Sequence, residues 1–201
     1  MRLVVCALAL TSLYACTTTV LFAKRDPALS APITSALLVA VAPPLKSSAA
    51  IPTVGTLLGY GGTYGIDATS KSLTDDAHAM VTEAIRQLPA ALQAGGLTLA
   101  APPILTREQL ANDHAVQPLL PAGYKGPVLT IAPYGAKMDC PGACFEFIVH
   151  ARLLSEEQGK LVWSATFQMP SKASRFSDFS APVANFAQAL VTQMKKDGVL
   201  R

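Results

Sequence analysis

The chain has 201 residues, of which 51% are hydrophobic and 14% are charged, and its formal net charge at pH 7 is +3. This length suits one domain with its own core. The small and scattered positive charge excludes the basic surface that nucleic-acid binding requires, so we expect no nucleic-acid partner.

The first fifteen residues have the layout of a secretory signal, with the positive charge of Arg2 ahead of an apolar run over residues 3–13. That run is shorter than the roughly 20 residues that span a bilayer. Two alternatives stay open. An ordinary signal would be cleaved after Ala15 or Ala23, and the apolar residues 20–22 would extend the run into an uncleaved anchor.

The end of this segment, Leu13-Tyr14-Ala15-Cys16, resembles the lipobox of bacterial lipoproteins, in which a peptidase cuts in front of a diacylglyceryl-modified cysteine. The resemblance implies that Cys16 carries acyl chains such as palmitate and anchors the protein to a membrane. Each buried CH2 group contributes about 0.8 kcal/mol, so several chains hold a protein on a bilayer essentially permanently. Thr17 stands where an Asp would retain the protein at the inner membrane, which implies the outer membrane, facing the periplasm.

Residues 16–34 are rich in Thr, Ala, Ser and Pro without an apolar period, which predicts a flexible tether. A single domain is predicted over residues 35–201. Its first element is the continuous apolar run over residues 36–42, which is closed by Pro43-Pro44 and indicates a buried central strand.

The stretch that follows, as far as Ser72, is predicted to be a long loop or an irregular hairpin. It contains the glycine-rich segment 59–65, which lacks the lysine and the strand-to-helix context of a phosphate-binding loop. Tyr60 and Tyr64 in this segment are candidate interface residues, because amphipathic aromatic rings are favoured at interfaces.

A long amphipathic helix is predicted next. Ser72 and Asp75 fit a capping box. The apolar residues that then recur at helical spacing are Ala77, Met80, Val81, Ala84, Ile85, Leu88 and Leu92. Pro89 should kink the helix or end it early, and Gly95-Gly96 should close it with a positive φ.

The middle of the chain is read as strands with one brief helix. A short strand is predicted over residues 97–101, a second helix over 106–114, and a further strand over 127–132. Apolar and polar side chains alternate over residues 145–154 and 160–169, which predicts the two strands of a hairpin. The side chains expected inside are Phe145, Phe147, Val149, Ala151, Leu153, Trp163, Ala165, Phe167 and Met169, and those expected outside are Glu146, His150 and Arg152.

A final helix is predicted to start at a Ser180 cap with Pro182 in its first turn, and to stop at Gly198. Lys195 and Lys196 lie near its negative end. The residues expected to face inward are Val183, Phe186, Ala187, Leu190, Val191 and Met194.

These elements predict an α+β fold, in which an antiparallel sheet of four to five strands has two main helices packed on one face and its other face partly exposed. The element order, the hairpin over residues 151–163 and the ending over residues 186–191 resemble small auxiliary lipoproteins of the Gram-negative envelope. Among these are transport-auxiliary and penicillin-binding-protein-activator lipoproteins, whose domains are similar to the N-terminal domain of the translocation protein TolB. The resemblance spans residues 35–200 and implies an accessory role in an envelope complex.

Of the four cysteines, one lies in the signal and Cys16 is the expected lipid site, which leaves Cys140 and Cys144. The turn signal Pro141-Gly142 between them brings two Cα atoms into bridging range. A disulfide suits the oxidising periplasm. Free thiols or a metal site are the alternatives, but the three histidines (His78, His114 and His150) do not have zinc-site spacing, and no metal is expected.

No catalytic constellation stands out, since the chain lacks a Gly-x-Ser-x-Gly nucleophile elbow, and we expect neither enzyme activity nor a cofactor. The leading hypothesis is a non-catalytic module that binds another envelope protein through an open sheet face or an edge strand. The alternative is a periplasmic carrier of a lipid or another hydrophobic ligand, held in a cavity between the kinked helix and the hairpin.

Overall fold

The computed structural model describes residues 18–42, 64–107, 113–140, 144–155, 159–171 and 179–201. In chain order the elements are β1 (Thr19–Arg25), β2 (Ser35–Val41), α1 (Tyr64–Ala94), β3 (Thr98–Leu99), β4 (Ile104–Thr106), a 3-10 helix (Asp113–Leu119), β5 (Val128–Cys140), β6 (Cys144–Leu154), β7 (Leu161–Ser171) and α2 (Ser180–Lys196).

All of these strands belong to one mixed sheet of seven strands in the order β1-β7-β6-β5-β2-β3, with β4 also paired to β2. The α+β class is confirmed, but the expectation of a purely antiparallel sheet of four to five strands is wrong. β2 runs parallel to β3, β4 and β5. The physical reason is the crossover through α1, which returns the chain to the end of the sheet where β2 starts. Burial of β2 on both faces also explains its continuous apolar sequence.

Part of the segment predicted to be a flexible tether forms a strand. Thr19–Arg25 forms β1, an edge strand that pairs antiparallel with β7. Val20 and Ala23 on this strand pack against the main core. Burial of these two side chains and the hydrogen bonds to β7 offset the entropy that a free tether would have kept.

Both helices lie on one face of the sheet, as the sequence predicts, and the main core lies between them and the strands. Its largest fully buried side chains include Met80, Leu88, Leu92, Phe147, Trp163, Phe167 and Phe186. The rings of Phe167 and Phe186 meet edge to face with centroids 5.2 Å apart. This contact packs α2 against β7.

The bounds of α1 differ from the prediction at its start and agree with it at its end. The helix begins at Tyr64, ahead of the Ser72 capping box, and continues through Pro89 to Ala94. Gly96 has a φ of 95°, and Leu97 N–H donates to Leu92 O at 2.8 Å. This is a Schellman ending, which needs the positive φ that glycine adopts freely.

α2 is confirmed, with one change at its cap. Phe179 occupies the N-cap position without a side-chain cap, and Ser180 is the first helical residue. The expected Ser180 cap is wrong because Phe179, whose carbonyl already accepts from Val183 N–H at 2.9 Å, is buried against Phe147. Core packing has overridden the local preference for a serine cap.

The second face of the sheet is covered at β2 and the start of β5. A smaller core there contains Leu37, Val39, Val41, Val116, Val128 and Leu154, with Leu119, Leu120 and Tyr124 packed against it. The brief helix predicted over residues 106–114 does not start at Thr106, because Thr106 ends β4 and pairs with Val41 of β2. Residues 108–112 lie outside the described residues. A 3-10 helix follows at Asp113–Leu119 and supplies Val116 to this core.

Candidate functional site

The hairpin of β6 and β7 has the predicted alternation. Phe147, Val149, Ala151 and Leu153 face the helices, opposite Met169, Phe167, Ala165 and Trp163 of β7. The residues between them point to the other side of the sheet and are partly exposed. This set, which we name the open face, is Ile148, His150, Arg152, Ser164, Thr166 and Gln168.

The strand register makes the open face continuous across the two strands. Ile148 is paired with Gln168, His150 with Thr166, and Arg152 with Ser164. Side chains directly opposite each other in an antiparallel pair have Cβ atoms about 4.5–5.5 Å apart, so these rows form one surface.

Two of the six side chains of the open face, His150 and Arg152, are ionisable. Burial lowers the pKa of His150 below its ordinary value of 6.5, and the positive charge of Arg152 lowers it further. The imidazole is therefore neutral at neutral pH. Because none of the six side chains is a carboxylate, the surface suits a partner that offers acidic or other hydrogen-bond-accepting groups.

β1 borders the open face and exposes apolar side chains. Its register shifts between Val20 and Phe22, which leaves Leu21 as an extra residue in a bulge. A bulge allows two consecutive residues to point outward. Leu21 is 51% exposed and Phe22 is 56% exposed, and Lys24 is exposed as well. We name Leu21, Phe22 and Lys24 the edge patch.

Hydrogen bonds connect the C-terminal end of β1 to the residue that follows α2. Arg25 donates from Nη1 to Asp197 O at 3.0 Å and from Nη2 to Leu29 O. Trp163 Nε1 donates to Asp197 Oδ2 and Gln193 Nε2 donates to Asp197 Oδ1, each at 2.8 Å. We name these contacts the C-terminal clasp. They tie β1, β7 and α2 together, so the position of the edge patch is set by the fold.

A pocket of about 410 Å³ lies on the face away from the helices, between the 3-10 helix and the start of β5. Its apolar lining residues include Val116, Leu120, Val128 and Leu154. Tyr124 also lines it, with its hydroxyl donating to Pro127 O at 2.7 Å. The main core lies between the helices and the hairpin, and the ligand site expected between α1 and the hairpin stays a prediction.

The sequence-predicted site residues are placed only in part. Cys16 and Tyr60 lie outside the described residues. Tyr64 is the first residue of α1 rather than part of a loop. Cys140 and Cys144 are directly opposite each other in the register of β5 and β6, and the disulfide between them stays a prediction.

His78 and His150 lie on different elements, and the side chain of His114 lies outside the described residues. His150 belongs to the open face, whereas His78 lies on α1 with its Nε2 atom 2.8 Å from Arg107 Nη2. Within the described ranges, no group of three His, Cys, Asp or Glu side chains is arranged to hold a metal ion. Neither helix, over its described part, is both long and apolar enough to cross a membrane.

The edge patch was not predicted. Residues 20–22 were predicted to lie in the flexible tether, with an extension of the signal as the alternative. Their β-branched and aromatic residues nevertheless precede an Asp26-Pro27 turn signal. Because β-branched and aromatic residues are enriched in strands, this composition could have predicted β1.

No protein-family model matches the sequence, and no curated protein matches it. The chain is similar to several solved structures. One is a PelC dodecamer from Paraburkholderia phytofirmans, with 16% identity and a TM-score of 0.41, covering 85% of this chain and 96% of that one. Another is the lipoprotein GNA1162 from Neisseria meningitidis, with 16% identity and a TM-score of 0.31, covering 80% of this chain and 99% of that one. A third is protein XCC0632 from Xanthomonas campestris, with 18% identity and a TM-score of 0.32, covering 87% of each chain. At identities and TM-scores this low, no function is transferred from these proteins to this chain.

Proposed function

We propose that this chain is a non-catalytic accessory lipoprotein of the Gram-negative envelope. Acylated Cys16 holds it at the outer membrane, where it faces the periplasm, and it binds a partner protein through the open face. The observation that carries the proposal is the open face itself, a continuous surface of six residues that the helices leave uncovered and in which Arg152 lies among polar side chains. A partner with an acidic surface complements it.

The anchor is tested by labelling cells with a palmitate analogue and separating their membranes. We expect the wild-type chain to carry label and to sediment with the outer membrane. Cys16→Ser should lose both properties, because it removes the acylated thiol. Cys144→Ser is the matched control and should keep both. A wild-type chain without label would contradict the lipoprotein assignment.

The Cys140–Cys144 disulfide gives a second test of export to an oxidising compartment. Alkylation of the protein under denaturing conditions, followed by mass spectrometry, should modify these two cysteines only after reduction. Their opposite positions in the β5–β6 register support the pairing. Alkylation of both thiols without reductant would contradict it.

Partner binding is tested with a photo-crosslinking amino acid placed in living cells at Thr166, on the open face, and at Gln188, exposed on α2. We expect a discrete protein adduct from Thr166 and none from Gln188. Equal adducts from the two positions, or none from Thr166, would contradict the assignment.

Charge reversal tests whether Arg152 itself contributes to partner binding, or whether only the net charge of the protein matters. Arg152→Glu should reduce the Thr166 adduct at least fivefold, because a carboxylate repels an acidic partner. Arg201→Glu, the same change at the exposed last residue, should leave the adduct unchanged. A thermal unfolding curve of each variant checks that the fold is intact.

The pocket near the 3-10 helix supports a second candidate, a carrier of a small hydrophobic ligand. A volume of about 410 Å³ falls in the usual range for ligand sites. Its lining combines apolar residues such as Val116 and Leu120 with Gln117, Lys125 and Ser155. Organic extraction of the purified protein and lipid mass spectrometry distinguish the two functions. A carrier retains a stoichiometric ligand that Val116→Trp displaces, whereas a scaffold retains none.

A further inference from the structure

Two of the large hydrophobic side chains that are exposed in the described part of the chain are neighbours on β1. Leu21 and Phe22 are 51% and 56% exposed, and the bulge in β1 turns both of them outward. Leu105, at 41% exposure, lies on β4 at the opposite edge of the sheet. The apolar surface of β1 is thus concentrated at one place.

The short chain between Cys16 and β1 limits how far this surface can lie from the proposed anchor. Thr19 begins β1 three residues after Cys16. A residue extends the chain by at most about 3.6 Å, so Thr19 lies within about 11 Å of Cys16, and Phe22 within about 22 Å. The headgroup layer is only about 5–8 Å thick on each side of a bilayer.

β1 is also fixed to the rest of the domain. It pairs with β7 along its length, and Arg25 at its C-terminal end takes part in the C-terminal clasp. The acyl chains therefore hold a rigid edge of the sheet, and not a free tether, next to the membrane surface.

We propose that Leu21 and Phe22 insert into the interface of the phospholipid bilayer, as a second membrane contact beside the lipid anchor. This inference rests on the proposed acylation of Cys16. Lys24, exposed two residues further along β1, lies where its ammonium group meets lipid phosphates. The β1 edge then faces the bilayer and orients the domain.

The experiment uses the purified, acylated chain in vesicles of phosphatidylethanolamine and phosphatidylglycerol. Benzoylphenylalanine replaces Phe22 in one variant and Leu105 in the other, which is the matched control because it is a comparably exposed hydrophobic residue at the far edge. We expect at least fivefold more phospholipid adduct from position 22. Equal adducts, or adducts from position 22 only to a second protein, would overturn the inference.

A second readout covers the case in which the bulky probe disturbs β1. Phe22→Trp and Leu105→Trp are compared by quenching with phospholipids brominated on the acyl chain, against the constant background of Trp163, which is 1% exposed. Stronger quenching of Phe22→Trp supports insertion, and equal quenching overturns it.

Palmitate labelling of the same preparations separates the two proposals. An acylated protein without lipid contact at Phe22 overturns the insertion and leaves the anchor standing. A protein that carries no acyl chain overturns the anchor, and the insertion with it.

Discussion

Asp76 offers a test of how the fold responds to pH. It lies on the buried side of α1 with 9% exposure, and its Oδ2 atom has no hydrogen-bond partner among the described residues. Burial, together with a smaller contribution from the negative charge of Asp75, raises the pKa of Asp76 from 3.8 to about 6. The folded protein therefore favours the neutral carboxyl group.

The sign of the effect follows from proton binding. Because the folded-state pKa lies above the unfolded value, the folded protein holds more protons between about pH 4 and pH 6, and stability falls as the pH rises through this window. One pKa unit corresponds to about 1.4 kcal/mol, so the full shift would be about 3 kcal/mol. Solvent near the helix surface screens the charge, and we expect about 1–2 kcal/mol.

The perturbation is Asp76→Asn, which keeps the shape of the side chain and removes its ionisation. Urea unfolding of the purified protein, followed by circular dichroism, should show the variant more stable than the wild type by about 1–2 kcal/mol at pH 7.5. At pH 4 the two should be nearly equal. Asp75→Asn, at the exposed neighbour, removes only the charge repulsion, which is the smaller cause of the raised pKa of Asp76. This variant should therefore be stabilised less than Asp76→Asn. A difference between Asp76→Asn and wild type that is the same at both pH values would refute this reasoning.

Two further predictions concern the packing of the helices. Trp163→Phe removes the 2.8 Å hydrogen bond to Asp197, and denaturant unfolding should show a loss of about 1–3 kcal/mol. Hydrogen exchange should accelerate most in β1, and an equal acceleration in β5 would contradict the role of the clasp. Gly95→Ala places a Cβ atom 2.6 Å from Val191 Cγ1, which forces the helices apart and should cost about 1–3 kcal/mol. Thermal unfolding of the double variant with Val191→Ala should recover part of that loss, and no recovery would count against a steric cause.

Elements in which apolar side chains recur at a regular spacing could be predicted from the sequence. The alternation of residues 145–153 and 163–169 defines the hairpin because one face of each strand is buried. The same alternation placed His150 and Arg152 outside, and both lie on the open face. The positive φ of Gly96 follows from the chemistry of helix endings.

Features that depend on distant partners were not predictable from local patterns. β1 is held by residues of β7 and α2 that are far away in sequence, and its apolar run also suited a membrane anchor. The parallel pairing of β2 with β5 depends on the crossover through α1. Ser180 has the chemistry of a cap, but Phe179 takes that position because the core accommodates its ring.

The C-terminal clasp also constrains the order in which the protein folds. Arg25 and Asp197 are 172 positions apart, and Ile33 N–H donates to Val199 O at 2.9 Å. Contacts between residues so distant in sequence form late and slow the folding of a domain. If the protein is exported from its N-terminus, as proposed above, Arg25 of β1 cannot contact Asp197 until Asp197 has crossed the membrane. Until then, the unpaired edge of the sheet is exposed to other chains in the same compartment, and aggregation competes with folding.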